Sequence, residues 1–129
     1  MKESNQKLYA GVWMDNEKAL IIADAAASGD YALQHTVKAK ANRRGGSEHA
    51  MNNAQKTHAL QYYKSISTLL MNYDGILIFG PGKSQEEFQH HLQKDPQFKG
   101  KQIAIDSAEQ LTDPQMIAKV RDFFKSRPS

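Results

Sequence analysis

Leu8-Tyr9-Ala10-Gly11-Val12-Trp13-Met14, then Asp15-Asn16-Glu17-Lys18, then Ala19-Leu20-Ile21-Ile22-Ala23 is the stretch that sets the architecture of the chain. Two short runs of apolar and aromatic residues flank a polar segment with turn chemistry, the pattern of a β-hairpin. A second turn is expected over Ala25 to Asp30, around Ser28-Gly29-Asp30, and Tyr31-Ala32-Leu33-Gln34-His35-Thr36-Val37 reads as a third strand. Tyr31, Leu33 and Val37 are compatible with one apolar face, with His35 breaking the alternation.

Outward from this meander the spacing turns helical. From Ser47 to Asn72, Met51, Ala54, His58, Tyr62, Ile66, Leu69, Leu70 and Tyr73 recur at steps of three and four, which places them on one face of a helix. The first half of this segment is polar and basic and the second apolar. The expected helix therefore packs its C-terminal half on a sheet and projects its N-terminal half with the loop before it. Gly75-Ile76-Leu77-Ile78-Phe79 is a continuous apolar run suited to a central strand, ended by Gly80-Pro81-Gly82. Ser84 and Glu87 form a capping-box pattern opening a helix that buries Phe88 and Leu92. Gln102 to Asp106 reads as a further strand. Thr112-Asp113-Pro114 opens a last helix striped with Ile117, Val120 and Phe124.

The predicted order is βββ-α-β-α-β-α. An antiparallel strand meander followed by alternating helix and strand gives a mixed sheet with helices on both faces, the strand–helix–strand half being parallel and right-handed. This is a three-layer α/β fold of the ribonuclease-H-like type. At 129 residues and 40% hydrophobic composition the chain suits one domain with a packed core. Residues 1–7 are expected to be a disordered N-terminal tail and 8–129 the folded module. Neither internal repeats nor low-complexity tracts interrupt it.

Cysteine is absent, which excludes disulfides, thiolate metal sites and thiol nucleophiles. Met1 to Lys7 is polar and lacks the apolar stretch of a secretory signal. No apolar run is long enough to span a bilayer, so a cytoplasmic protein without membrane contact is expected. Charge is unevenly spread. Between His35 and Lys64 lie six basic residues, Lys38, Lys40, Arg43, Arg44, Lys56 and Lys64, against one acid, Glu48, a surplus exceeding the +3 of the whole chain. Such a concentration favours polyanionic partners, nucleic acid among them.

Four acids lie near expected strand ends: Asp15, Glu48, Asp74 and Asp106. A two-metal nuclease would need several converging carboxylates, but Asp15 sits in a hairpin turn and Asp74 precedes its strand, at the opposite edge of the sheet. His49 and His58 are nine residues apart and His90 and His91 adjacent, spacings that suit no metal site. Gly80-Pro81-Gly82-Lys83-Ser84 is similar to the end of a phosphate-binding loop, yet the required earlier glycine is Leu77. Neither a metal nor a cofactor is expected. What remains is Asn42-Arg43-Arg44-Gly45-Gly46-Ser47. Its arginines are permanently charged forks suited to phosphate, its glycines permit close backbone approach, and Ser47 is placed to cap the long helix.

The order and spacing of these motifs resemble the middle domain of archaeal and eukaryotic peptide-chain release factors and Pelota. Val12-Trp13-Met14-Asp15-Asn16-Glu17-Lys18-Ala19-Leu20 is similar to the family's first strand pair. His35-Thr36-Val37-Lys38, Arg43-Arg44-Gly45-Gly46-Ser47 and the helix through Ala50, Ala54 and Tyr63 are similar to its third strand, Gly-Gly-Gln loop and long helix. The likeness runs from about Leu8 to Phe124 and implies a ribonuclease-H-like fold. In the release factors that loop enters the peptidyl-transferase centre and helps water attack the peptidyl-tRNA ester. Here Ser47 stands at the glutamine, and its shorter side chain cannot offer the amide geometry.

The resemblance implies a stand-alone module that binds ribosomal or transfer RNA through Lys38, Lys40, Arg43, Arg44, Gly45, Gly46, Ser47 and Lys56, without codon-directed release. Binding rather than catalysis is expected of it. The alternatives are a peptidyl-tRNA ester hydrolase in which Gly45, Gly46 and Ser47 place water, and a protein-interaction domain that retains the fold.

Overall fold

The computed structural model describes residues 8–24, 30–39, 48–108 and 111–125, and of residues 48–58 the backbone alone. The expected tail, the turn at 25–29 and the loop at 40–47 lie outside the described residues. The elements run β1 (Tyr9–Met14), β2 (Lys18–Ala23), β3 (Ala32–Lys38), α1 (Glu48–Leu70), β4 (Gly75–Gly80), α2 (Ser84–Gln93), a short 3₁₀ turn (Pro96–Phe98), β5 (Gln102–Ser107) and α3 (Asp113–Lys125). Apart from the 3₁₀ turn this is the order expected from the sequence.

The five strands form one mixed sheet in the order β3-β2-β1-β4-β5. β1 pairs antiparallel with β2 and parallel with β4, and β4 pairs parallel with β5. Alternation along each strand then sorts side chains between two faces. Val12, Met14, Ile21, Ile76 and Ile78 meet Tyr62, Ile66 and Leu70 of α1 and Phe88 and Leu92 of α2. Trp13, Leu20, Ile22, Leu77 and Phe79 meet Met116 and Val120 of α3. The three-layer α/β fold of ribonuclease-H-like type is thus observed.

Two local expectations need correction. Tyr31, Leu33 and Val37 do not share one face. Ile21 pairs with His35 but Ile22 pairs with Leu33, leaving Gln34 as the extra residue of a β-bulge. The bulge shifts the parity of β3, so Val37 packs on the α1–α2 side and Tyr31 on the α3 side, while Leu33 stays exposed. Gln34 donates its side-chain N–H to the Ala23 carbonyl at 3.2 Å, inside the distorted ladder. The capping box at Ser84 is also absent. Ser84 is the first helical residue, Lys83 holds the cap position without a side-chain bond, and the Ser84 hydroxyl bonds the Asn16 side chain instead. A reciprocal cap does occur at α3, where the Thr112 amide donates to Gln115 Oε1 at 2.9 Å and the Gln115 amide to Thr112 Oγ1 at 3.3 Å.

Close packing fixes α3 on the sheet. Gly11 lies in the middle of β1 on the α3 side, and a Cβ there would overlap the Val120 side chain. Tyr9 and Phe124 stack at 4.6 Å at the far end of the same contact. Gly11→Ala is expected to destabilise the domain by about 1–3 kcal/mol through overpacking. Val120→Ala in the same chain should return part of that loss, a coupling read from urea unfolding of the four variants of a double-mutant cycle.

Candidate nucleic-acid interface

The two ends of the sheet are built differently. At one end the Leu8 amide donates to Asp74 Oδ2 at 2.9 Å and the Asp74 amide donates to the Leu8 carbonyl at 2.7 Å. This clasp closes the start of β1 on the start of β4. At the other end lie the β1–β2 turn, the Gly80–Lys83 turn, the start of α2 and the close of β3. The turn orders itself: Asp15 Oδ1 accepts from the Glu17 and Lys18 amides at 2.8 and 2.9 Å, the local role expected of a turn aspartate. The Ala39 amide donates to the Glu17 carbonyl at 2.8 Å, so β3 is held to this turn up to the residue before 40–47.

From the opposite side α1 is tied to the same turn. Tyr62, buried on the helix stripe, donates its hydroxyl to the Asp15 carbonyl at 2.9 Å. Burial raises the Tyr62 phenol well above its ordinary value, with the Asp15 charge adding to the effect. From Tyr62 the helix descends through Ile66 and Leu70 toward the Asp74 end. Its earlier turns therefore run beyond the Asp15 end, and at 1.5 Å per residue Glu48 stands roughly 20 Å from Tyr62 along the axis. Leu60, two residues before Tyr62, is 59% exposed. The apolar half packs, as the sequence pattern predicts, and the helical backbone continues from Tyr62 back to Glu48.

The eight candidate RNA-binding residues fall unevenly on this geometry. Lys38 ends β3 and is exposed. Lys56 belongs to the projecting part of α1, where only the backbone is described. Lys40, Arg43, Arg44, Gly45, Gly46 and Ser47 lie outside the described residues.

Of the other sequence candidates, the side chains of Glu48, His49 and His58 are not described, while Asp106 and His91 make local contacts. Asp106 bonds Lys119 Nζ at 2.9 Å, and that hydrogen bond holds its carboxyl below the usual range. His91 lies against Phe88 and Tyr63, and burial pushes its pKa down. Among the described residues no three metal-ligating side chains converge, and no helix is long and apolar enough to cross a membrane. Gly80 to Ser84 forms a tight strand-to-helix turn. A Cβ at Gly80 would strike the Met14 carbonyl, and Gln85 donates to the Gly80 carbonyl at 3.0 Å. The Tyr62–Asp15 and Ser84–Asn16 bonds had no signal in the sequence beyond the helical register of Tyr62, since their partners lie 47 and 68 residues away.

No protein-family model matches the chain, and no curated protein matches it by sequence. Solved structures do match. The Thermoplasma acidophilum Pelota protein aligns with a TM-score of 0.56 at 19% identity, over 98% of this chain and 34% of that one. Archaeoglobus fulgidus Pelota aligns with a TM-score of 0.58 at 8% identity, over 94% of this chain and 35% of its own. An archaeal translation termination factor aligns at 0.49 and 11% identity, over 92% and 35%. The fold is similar to that of a Pelota domain, and the chain spans about a third of the length of the proteins it matches.

Tyr62→Phe is expected to cost about 0.5–1.5 kcal/mol by removing the bond to the Asp15 carbonyl. Because the phenol is raised in the folded state, its contribution is complete below its unfolded value near pH 10 and is lost as pH rises beyond it. The variant should therefore lose less stability than the parent protein between neutral pH and pH 11, measured by denaturant unfolding across that range.

Proposed function

We propose that the domain binds RNA of the translation machinery, ribosomal or transfer RNA, through its basic Gly-Gly loop. The observation that carries the reading is that β3 and α1, which flank 40–47, are both tied to the β1–β2 turn, while α1 continues past the sheet. Lys38 and Lys56 belong to those flanking elements, and Lys40, Arg43 and Arg44 lie between them in sequence. Electrostatic attraction to phosphates would supply most of the affinity. Gly45 and Gly46 would allow close approach and Ser47 a backbone or hydroxyl donor. Likeness to Pelota and the charge pattern both support a ribosome-associated, cytoplasmic role. With a serine at position 47, whose side chain cannot offer the amide geometry, the reading is of RNA binding rather than ester hydrolysis.

Co-sedimentation with ribosomes over a series of KCl concentrations tests this. Arg43→Ala with Arg44→Ala is expected to lower affinity and to flatten the salt dependence by about one unit of slope for each lost phosphate contact. Binding and salt slope unchanged from the parent protein would remove the proposal.

A further inference from the structure

The first residue of β2 and the last of β3 are both lysines, and they are direct partners: Lys18 stands opposite Lys38. Partners in a ladder point to the same face, with Cβ atoms about 4.5–5.5 Å apart, and like charges in that relation oppose sheet formation. Both side chains are exposed. Lys18 lies over the Trp13 ring at 6.0 Å, on the α3 side of the sheet. Among the described residues neither ammonium has a hydrogen bond or an ion pair.

Three other cations of the fold are compensated. Lys119 bridges to Asp106, Arg121 to Asp122, and Lys101 donates to the Met71 and Tyr73 carbonyls at 2.8 and 2.7 Å. The nearby acids do not serve the lysine pair. Asp15 turns its Oδ1 to the amides of its own turn, and exposed Glu17 forms no ion pair among the described residues.

We infer that Lys18 and Lys38 form a phosphate-gripping pair that holds an RNA backbone on the α3 side of the sheet end. The inference rests on the RNA reading above and adds Lys18, which the charge pattern around the loop did not single out. Two ammonium groups held side by side can share one phosphodiester oxygen cluster, which replaces their repulsion with two charge-assisted contacts. The pair stands at the root of 40–47, because Ala39 is already bonded back to Glu17.

The test compares Lys18→Gln, Lys38→Gln and a control, Lys99→Gln. Lys99 is exposed and lies at the other end of the sheet, before β5. Each is titrated by fluorescence anisotropy against a 5′-labelled 20-nucleotide RNA at several KCl concentrations and melted without RNA. Lys18→Gln and Lys38→Gln are expected to weaken binding several-fold and to reduce the salt slope by about 1 each, with the melting temperature unchanged or raised as the repulsion is relieved. Lys99→Gln should bind as the parent does. Equal weakening in all three would reduce the effect to net charge and overturn the pair, as would a marked fall in melting temperature for Lys18→Gln or Lys38→Gln. If the Arg43/Arg44 variant loses binding to this RNA while both lysine variants keep it, the pair fails and the RNA reading stands. If none of them weakens binding, the RNA reading falls as well. Displacement of the RNA by polyglutamate at equal charge concentration would assign the pair to an acidic protein and overturn it too.

Discussion

The parallel pairing of β1 with β4 is the joint on which the structure depends. It runs from Tyr9 opposite Gly75 to Trp13 opposite Phe79 and unites an antiparallel meander with a strand–helix–strand half. Parallel strands are stable when both faces are covered, and every residue of β4 is buried. The pairing therefore requires α1 and α2 on one side and α3 on the other. Its close contacts are selective. The Asp74–Leu8 bonds clasp one end, Gly80 yields to the Met14 carbonyl at the other, and Gly11 lets Val120 reach the sheet between them. Once this joint is made, the direction of α1 is decided: it must return to Gly75 at the clasped end, so its N-terminal turns leave from the opposite one.

Much of that was legible in the residues. The apolar run at 75–79 has the length of a strand buried on both faces, and the three- and four-residue recurrence through Tyr62, Ile66 and Leu70 fixed the packed face of α1. What escaped reading was governed by partners distant in sequence. The parity of β3 depends on a bulge opposite Ile21 and Ile22, which no pattern within 31–37 contains. Ser84 matched a capping box locally, but Asn16 in the β1–β2 turn takes its hydroxyl in the folded chain. At Thr112 the competing partner is absent, and the local capping rule holds. The residues of 40–47 were legible as chemistry, two arginines, two glycines and a serine, but not as geometry. Nothing in their composition dictates a single backbone path, because glycine pairs widen the accessible conformations.

Identities of 19% and 8% to the two Pelota structures separate what the pattern encodes from what the residues do. Burial alternation, turn positions and the β1–β4 joint can persist through nearly complete replacement of side chains, since cores accept apolar exchange at roughly constant volume. A shared fold carries no activity with it. The functional argument therefore has to come from features that the fold itself does not need.

Those features gather at one end. The Asp74 end is satisfied by reciprocal hydrogen bonds, whereas the Asp15 end holds several arrangements that cost stability. Lys18 faces Lys38 across the ladder. The indole N–H of Trp13, beneath Lys18, and the Oε1 of Gln85, beside Gly80, are buried without hydrogen-bond partners among the described residues. Buried orphans and opposed like charges are each unfavourable, and a chain selected for stability alone would lose them readily, for example through a glutamate at position 18 or 38. They lie at the Asp15 end of the sheet, across several strands, and not around the clasp, a placement that supports the proposed contact since local conflicts tend to mark functional sites. A polyanion would convert the lysine conflict into an attraction without disturbing the β1–β4 joint. On this physical ground the proposed RNA contact is assigned to the Asp15 end of the sheet rather than to the clasped end.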